Sequence, residues 1–263
     1  TLDAFHGKPD SNVSLVSRPP GMFRLLWEIS DTKTCLNIEV INGTIPSEQW
    51  IELIFPSSSG IHSPVNGTTA NSTLNTISVR SVFGSVSPTS VAKSPAIGAF
   101  FKTSLDFSPR MANTEAEIVL EFVPLMTMEE GDFVQVRLPA FGGRDCVGSV
   151  SSSPPVCSRA LWEEKSKELT FVLTNRSAGG QVMRMTLHQT SFCAVRTPQD
   201  GISSLSEETH EFIISTNASS GPVLKSPESM QTRVIRVQPI SSFRGLSRLS
   251  FLPSVAGRET TIK

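Results

Sequence analysis

Histidines, cysteines, clustered acids and tryptophans are the residues here whose types could do chemistry. The histidines are His6, His62, His188 and His210. His6 and His62 lie in loop-like sequence, and His188 sits on a strand, opposite in phase to Leu187. None stands at a recognisable motif spacing from a Cys, Ser or acid, so no catalytic dyad or triad is assigned. There is no Cys-x-x-Cys and no His at ligand spacing from a Cys pair, which argues against zinc. Glu129, Glu130 and Asp132 crowd one turn; a calcium site is weighed, and a solvated turn is preferred. The glycines of Phe141–Asp145 and Ser219–Gly221 mark turns, since no Gly-Lys-Ser/Thr follows. Trp27 and Trp162 suit a sugar platform in principle, but their recurrence at equivalent repeat positions reads as core packing. No catalytic residue, cofactor or metal ligand is assigned.

Two covalent modifications are expected instead. Asn-x-Ser/Thr sequons occur at Asn12, Asn42, Asn66, Asn71, Asn175 and Asn217, all in predicted loops or strand ends. That distribution favours an N-glycosylated, secreted chain. Four cysteines suit the same oxidising compartment. Cys146 and Cys157 flank a Gly/Ser/Pro stretch and are expected to pair, leaving Cys35 and Cys193 as a second pair. Four cysteines allow three connectivities, among which sequence does not choose.

Composition narrows the partners. Net charge is −1 with 18% charged residues, which gives no sign of a nucleic-acid partner. No apolar run approaches the roughly 20 residues of a membrane span. No signal peptide is visible, so the chain reads as mature or as a fragment.

The elements that position these residues are β-strands, and they recur. Leu2-Asp3-Ala4-Phe5 echoes Leu138-Pro139-Ala140-Phe141 at a shift of 136. Pro19-Pro20 and Leu26-Trp27-Glu28 echo Pro154-Pro155 and Leu161-Trp162-Glu163 at 135. Leu36–Val40 echoes Leu169–Leu173 at 133, while Trp50–Leu53 echoes Arg184–Leu187 and Ile61–Gly67 echoes Val195–Gly201 at 134. A shift this constant and this long indicates duplication of one domain rather than a solenoid. In the second copy, period-two strands are read at Ser104–Phe107, Ala116–Val123, Val134–Leu138, Ala160–Glu163, Glu168–Thr174, Val182–Gln189, Phe212–Thr216 and Arg233–Gln238. The expected fold is all-β, with two tandem antiparallel β-sandwiches of immunoglobulin-like or jelly-roll-like type. Residues 1–99 form the first, lacking its opening strands; 100–242 form the second, complete one.

Residues 243–263 repeat the opening of the second copy. Leu105, Phe107, Pro109, Ala112, Glu115 and Ile118 match Leu249, Phe251, Pro253, Ala256, Glu259 and Ile262 at a shift of 144. The tail is equivalent to 100–119, and no segment equivalent to 120–137 accompanies the first copy. A sandwich without a strand exposes backbone groups that seek another strand. Leu246, Leu249, Phe251, Val255 and Ile262 are the expected assembly residues, entering the first domain of a neighbouring molecule. Such a heterologous contact propagates as a filament. A longer covalent array, self-closure and a loose tail remain as alternatives.

The pattern Leu-x-Phe-x-Pro-x-x-Ala…Ile-x-Leu-x-Phe-x-Pro…Gly-Asp-x-Val-x-Val-x-Leu-Pro-x-Phe over Leu105–Phe141 resembles that of secreted tandem-repeat proteins of algae and other protists. With the tail echo, the chain is also similar to extracellular fibril subunits joined by inter-subunit β-strand exchange. The resemblance implies a structural, glycosylated, non-enzymatic subunit whose partner is its own kind. A cell-surface adhesion or glycan-binding module from a tandem array is the alternative.

Overall fold

The computed structural model describes residues 5, 15–30, 33–64, 66–189, 193–202, 211–226, 234, 236–240, 251–252 and 261–262. Among them the chain is all-β, with one short 3-10 turn at Ser57–Ser59 and no α-helix. The strands are β1 Val16–Arg18, β2 Phe23–Ser30, β3 Lys33–Val40, β4 Glu52–Ile54, β5 Thr76–Ser81 and β6 Gly84–Ser90 in the first copy. The second copy contributes β7 Phe100–Ser108, β8 Glu117–Pro124, β9 Phe133–Arg137, β10 Cys146–Ser153, β11 Cys157–Glu163, β12 Glu168–Leu173, β13 Met183–Leu187, β14 Ile214–Thr216 and β15 Arg236–Val237. Two short tail strands follow, β16 Phe251–Leu252 and β17 Thr261–Ile262.

Alternating side chains explain the second copy. In β8, Ile118, Leu120 and Phe122 are buried while Glu117 and Glu121 lie on the other face. In β9, Val134 and Val136 point inward between Phe133, Gln135 and Arg137. In β12, Leu169, Phe171 and Leu173 do the same. A period of two turns one face of each strand to the core.

These strands form one curled nine-stranded sheet in the order β14-β9-β12-β11-β10-β13-β8-β7-β15. Every pairing is antiparallel except β15 with β7. The curl is made by β10. Its first half, Cys146–Ser149, pairs with β11, and its second half, Val150–Ser153, pairs with β13. One strand thus passes between two leaves, which folds the sheet into a sandwich-like shape over one core. Phe107, Phe141 and Phe212 stack through that core, with ring centroids 5.1 and 6.4 Å apart. Trp162 is buried among them, as a core-packing residue should be.

Sequence reading misses β10. Its Gly-Ser-Val-Ser-Ser-Ser run carries one large apolar residue and reads as a loop. That omission overturns the expected disulfide. Cys146 lies opposite Trp162, at the open end of the β10–β11 hairpin, whereas Cys157 lies by its turn. Five residue steps along the strand separate Cys157 from Trp162, roughly 16 Å at about 3.3 Å per residue, well beyond disulfide reach. Cys146 pairs with Cys193 instead, with Cα atoms 5.1 Å apart. Neither expected pair, Cys146–Cys157 nor Cys35–Cys193, forms. Cys35 and Cys157 stay outside disulfides, and burial pushes the Cys157 thiol pKa up.

The first copy is built differently. Its strands form three separate two-stranded sheets: β1–β4, β2–β3 and β5–β6. Its described apolar cluster is one buried residue, Leu25, with Phe5, Leu15, Leu36, Phe55 and Ile61 partly buried around it. Among the described residues these strands do not close into a second sandwich.

The repeat nevertheless survives in the backbone pairing. Trp27 lies opposite Leu36 and Leu25 opposite Ile38 in β2–β3. Their counterparts pair identically in β11–β12: Trp162 with Leu169, Ala160 with Phe171. The turns match too. Gly67 donates its N–H to Pro64 at 3.1 Å and Gly201 to Pro198 at 3.2 Å, both glycines at positive φ. One alignment shifts. Arg18 pairs with Glu52 as Ser153 pairs with Arg184. Glu52 therefore corresponds to Arg184 at 132, not 134 as sequence alone suggests. Two residues of slip keep the same face toward the core.

Candidate functional site

The site is a set of strand edges, best seen by comparing equivalent positions. In the second copy β13 is paired on both sides, by β10 and by β8. Its counterpart β4 is paired only by β1 among the described residues. In the second copy β12 is flanked by β11 and β9. Its counterpart β3 has only β2. Among the described residues, β3 and β4 are thus each paired on one side only, where β12 and β13 are also paired by β9 and β8.

Side-chain burial follows the difference in pairing. Ile38 and Val40 are 38% and 40% exposed, while Phe171 and Leu173 at the same repeat positions are 0% and 1% exposed. Leu53 and Phe55 are half-buried, against fully buried Met185 and Leu187. Among the described residues, twenty large hydrophobics are exposed, and fourteen of them lie between Val16 and Val86. The β5–β6 hairpin presents Val82 and Phe83 at its tip, 93% and 96% exposed.

The tail has the complementary feature. β16 and β17 pair with each other, Phe251 opposite Ile262 and Leu252 opposite Thr261. At a shift of 144 these are Phe107 opposite Ile118 and Ser108 opposite Glu117, the register of β7–β8. In the single chain this hairpin pairs with no other described strand. Leu246, Leu249 and Val255 lie outside the described residues; of Phe251 and Ile262 only the backbone is described.

Of the six sequon asparagines, Asn42, Asn66, Asn71, Asn175 and Asn217 are all exposed, and Asn12 lies outside the described residues. Asn42 and Asn175 hold equivalent positions and equivalent bonds. Asn42 Nδ2 donates to the Gly21 carbonyl at 3.0 Å, and Asn175 Nδ2 to the Pro155 carbonyl at 3.1 Å.

Of the residues considered for chemistry, His6 and His210 lie outside the described residues. His188 Nδ1 lies 3.1 Å from Glu117 on the neighbouring strand, a cross-strand partner that spacing alone does not reveal. Asp132 accepts the Glu129 N–H at 2.7 Å, so the acidic turn uses its own carboxylate to hold its shape. No metal-binding group of three or more His, Cys, Asp or Glu exists among the described residues. A shallow groove over β9 and β12 is lined by Gln135, Arg137, Glu168 and Lys225. There Gln135 donates to Glu168 at 2.7 Å and Lys225 also bonds Glu168, so these groups engage one another. No helix of the described chain is long and apolar enough to cross a membrane. No family model, curated protein or solved structure matches the chain.

Sequence reasoning singles out the tail residues and passes over the apolar positions of β3 that the structure leaves exposed. The signal was available: Ile38 and Val40 align with strand residues that would be core-facing in a complete domain.

Proposed function

We propose that this chain is a structural subunit of an extracellular glycoprotein filament. The tail of one subunit completes the first sandwich domain of the next, and the two domains repeat head to tail. One observation carries the reading: the tail strands reproduce the β7–β8 register, while among the described residues no strand pairs the second edge of β4. Apolar positions left open along β3 and β4 supply the driving force, since taking apolar surface out of water is worth about 25 cal/mol per Å². The Cys146–Cys193 disulfide and the exposed sequons suit a secretory, glycosylated product. No catalytic role is assigned to any residue.

The same register favours a second reading. The tail then opens a further domain of a covalent tandem array, acting at a cell surface in adhesion or glycan binding.

Negative-stain imaging tests the first reading. The full chain should form long uniform fibres, and the chain without residues 243–263 should remain a monomer with a labile first domain. Monodisperse full chain at high concentration, with no effect of the deletion on stability, would leave the second.

A further inference from the structure

Resting on the exchange reading above, we propose that the donated unit is the β16–β17 hairpin as a whole. It docks on the outer edge of β4 in a second copy of this chain, with Ile262 opposite Phe55. The register follows from two independent correspondences. Glu52 stands where Arg184 stands, so Phe55 stands where Leu187 stands. Ile262 stands where Ile118 stands, because Phe251–Ile262 repeats Phe107–Ile118. In the complete domain Leu187 lies opposite Ile118. The intermolecular pair is therefore Phe55 with Ile262.

A hairpin suits this edge better than a lone strand. Its two strands are already paired in the free chain, so part of the ordering entropy of docking is spent beforehand. Phe55 already packs against Leu25, so an apolar residue arriving opposite it extends an existing cluster. A slip of one residue would exchange the two faces of the docked strand, which holds the register.

Disulfide trapping tests it with full-length chains. Ile262→Cys and Phe55→Cys are made separately, mixed, oxidised and mapped by mass spectrometry. A 55–262 linkage in this mixture arises only between molecules. It should exceed the linkage from an Ile262→Cys and Leu53→Cys mixture by about tenfold. In parallel, hydrogen exchange on the unsubstituted chain should show residues 52–55 becoming protected as fibres form. Fibres with protection elsewhere and no 55–262 linkage would overturn the register while leaving exchange intact. Absence of fibres, protection and linkage together would overturn both. Efficient 55–262 linkage only when both cysteines sit on one chain would show the hairpin closing on its own molecule, overturning the proposal.

Discussion

At the scale of single residues, the best-defined charge interaction ties the end of β7 to the following turn. Asp106 accepts two bonds from Arg110, both at 2.9 Å, and one from the Phe107 N–H at 2.7 Å. The Arg110 guanidinium, more than the backbone bond, holds the Asp106 carboxyl below the usual carboxylate range, against a smaller opposing effect of burial. A folded pKa below the unfolded one gives stability that is complete above the unfolded value near about 3.9 and lost as pH falls through the folded value. Asp106→Asn should therefore destabilise the chain at neutral pH and lose its effect as pH falls below the unfolded value through the lower folded one. Urea melts of both proteins across that range would check it; a gap independent of pH would count against this role. The tail carries Ser250 and Ser254 at these positions, so the pair belongs to the second copy alone.

At the scale of elements, β10 is the piece that organises the second copy, and its composition hides it. It carries the curl of the sheet and one half of the disulfide. The bridge from Cys146 to Cys193 spans 47 residues and encloses β10 through β13. By loop-closure entropy, removing it by Cys193→Ser should lower stability by about 4 kcal/mol, and less if the reduced chain retains structure. Denaturation of the variant beside the oxidised parent measures that. Alkylation of the unfolded, unreduced parent should label Cys35 and Cys157 only, and labelling of Cys146 or Cys193 would refute the assigned bridge. The strands with large alternating apolar residues were legible in advance, β8, β9 and β12 within a residue or two. Their pattern states both the conformation and the buried face. A serine-rich strand has no such pattern, because its neighbours rather than its own side chains place it.

At the scale of the molecule, two copies of one pattern reach different states. Ile38 and Phe171 occupy one repeat position with opposite burial. Phe171→Ala should cost about 3–5 kcal/mol through transfer and cavity terms. Ile38→Ala in the dispersed chain should cost under about 1 kcal/mol, since partly exposed sites lose little. Equilibrium denaturation of both variants decides this. A large cost at Ile38 would mean that the first copy is already complete in the isolated chain.

The sequence by itself determined the strand-rich character, the repeat and its echo in the tail, because period-two alternation and recurrent Pro, Trp and Gly positions are local. It also marked six sequons, in predicted loops or at strand ends. Only the tertiary structure decided which cysteines meet, which edges stay open and the two-residue correction along β4. Those depend on which strands become neighbours, and that is settled by pairing between segments far apart in the chain.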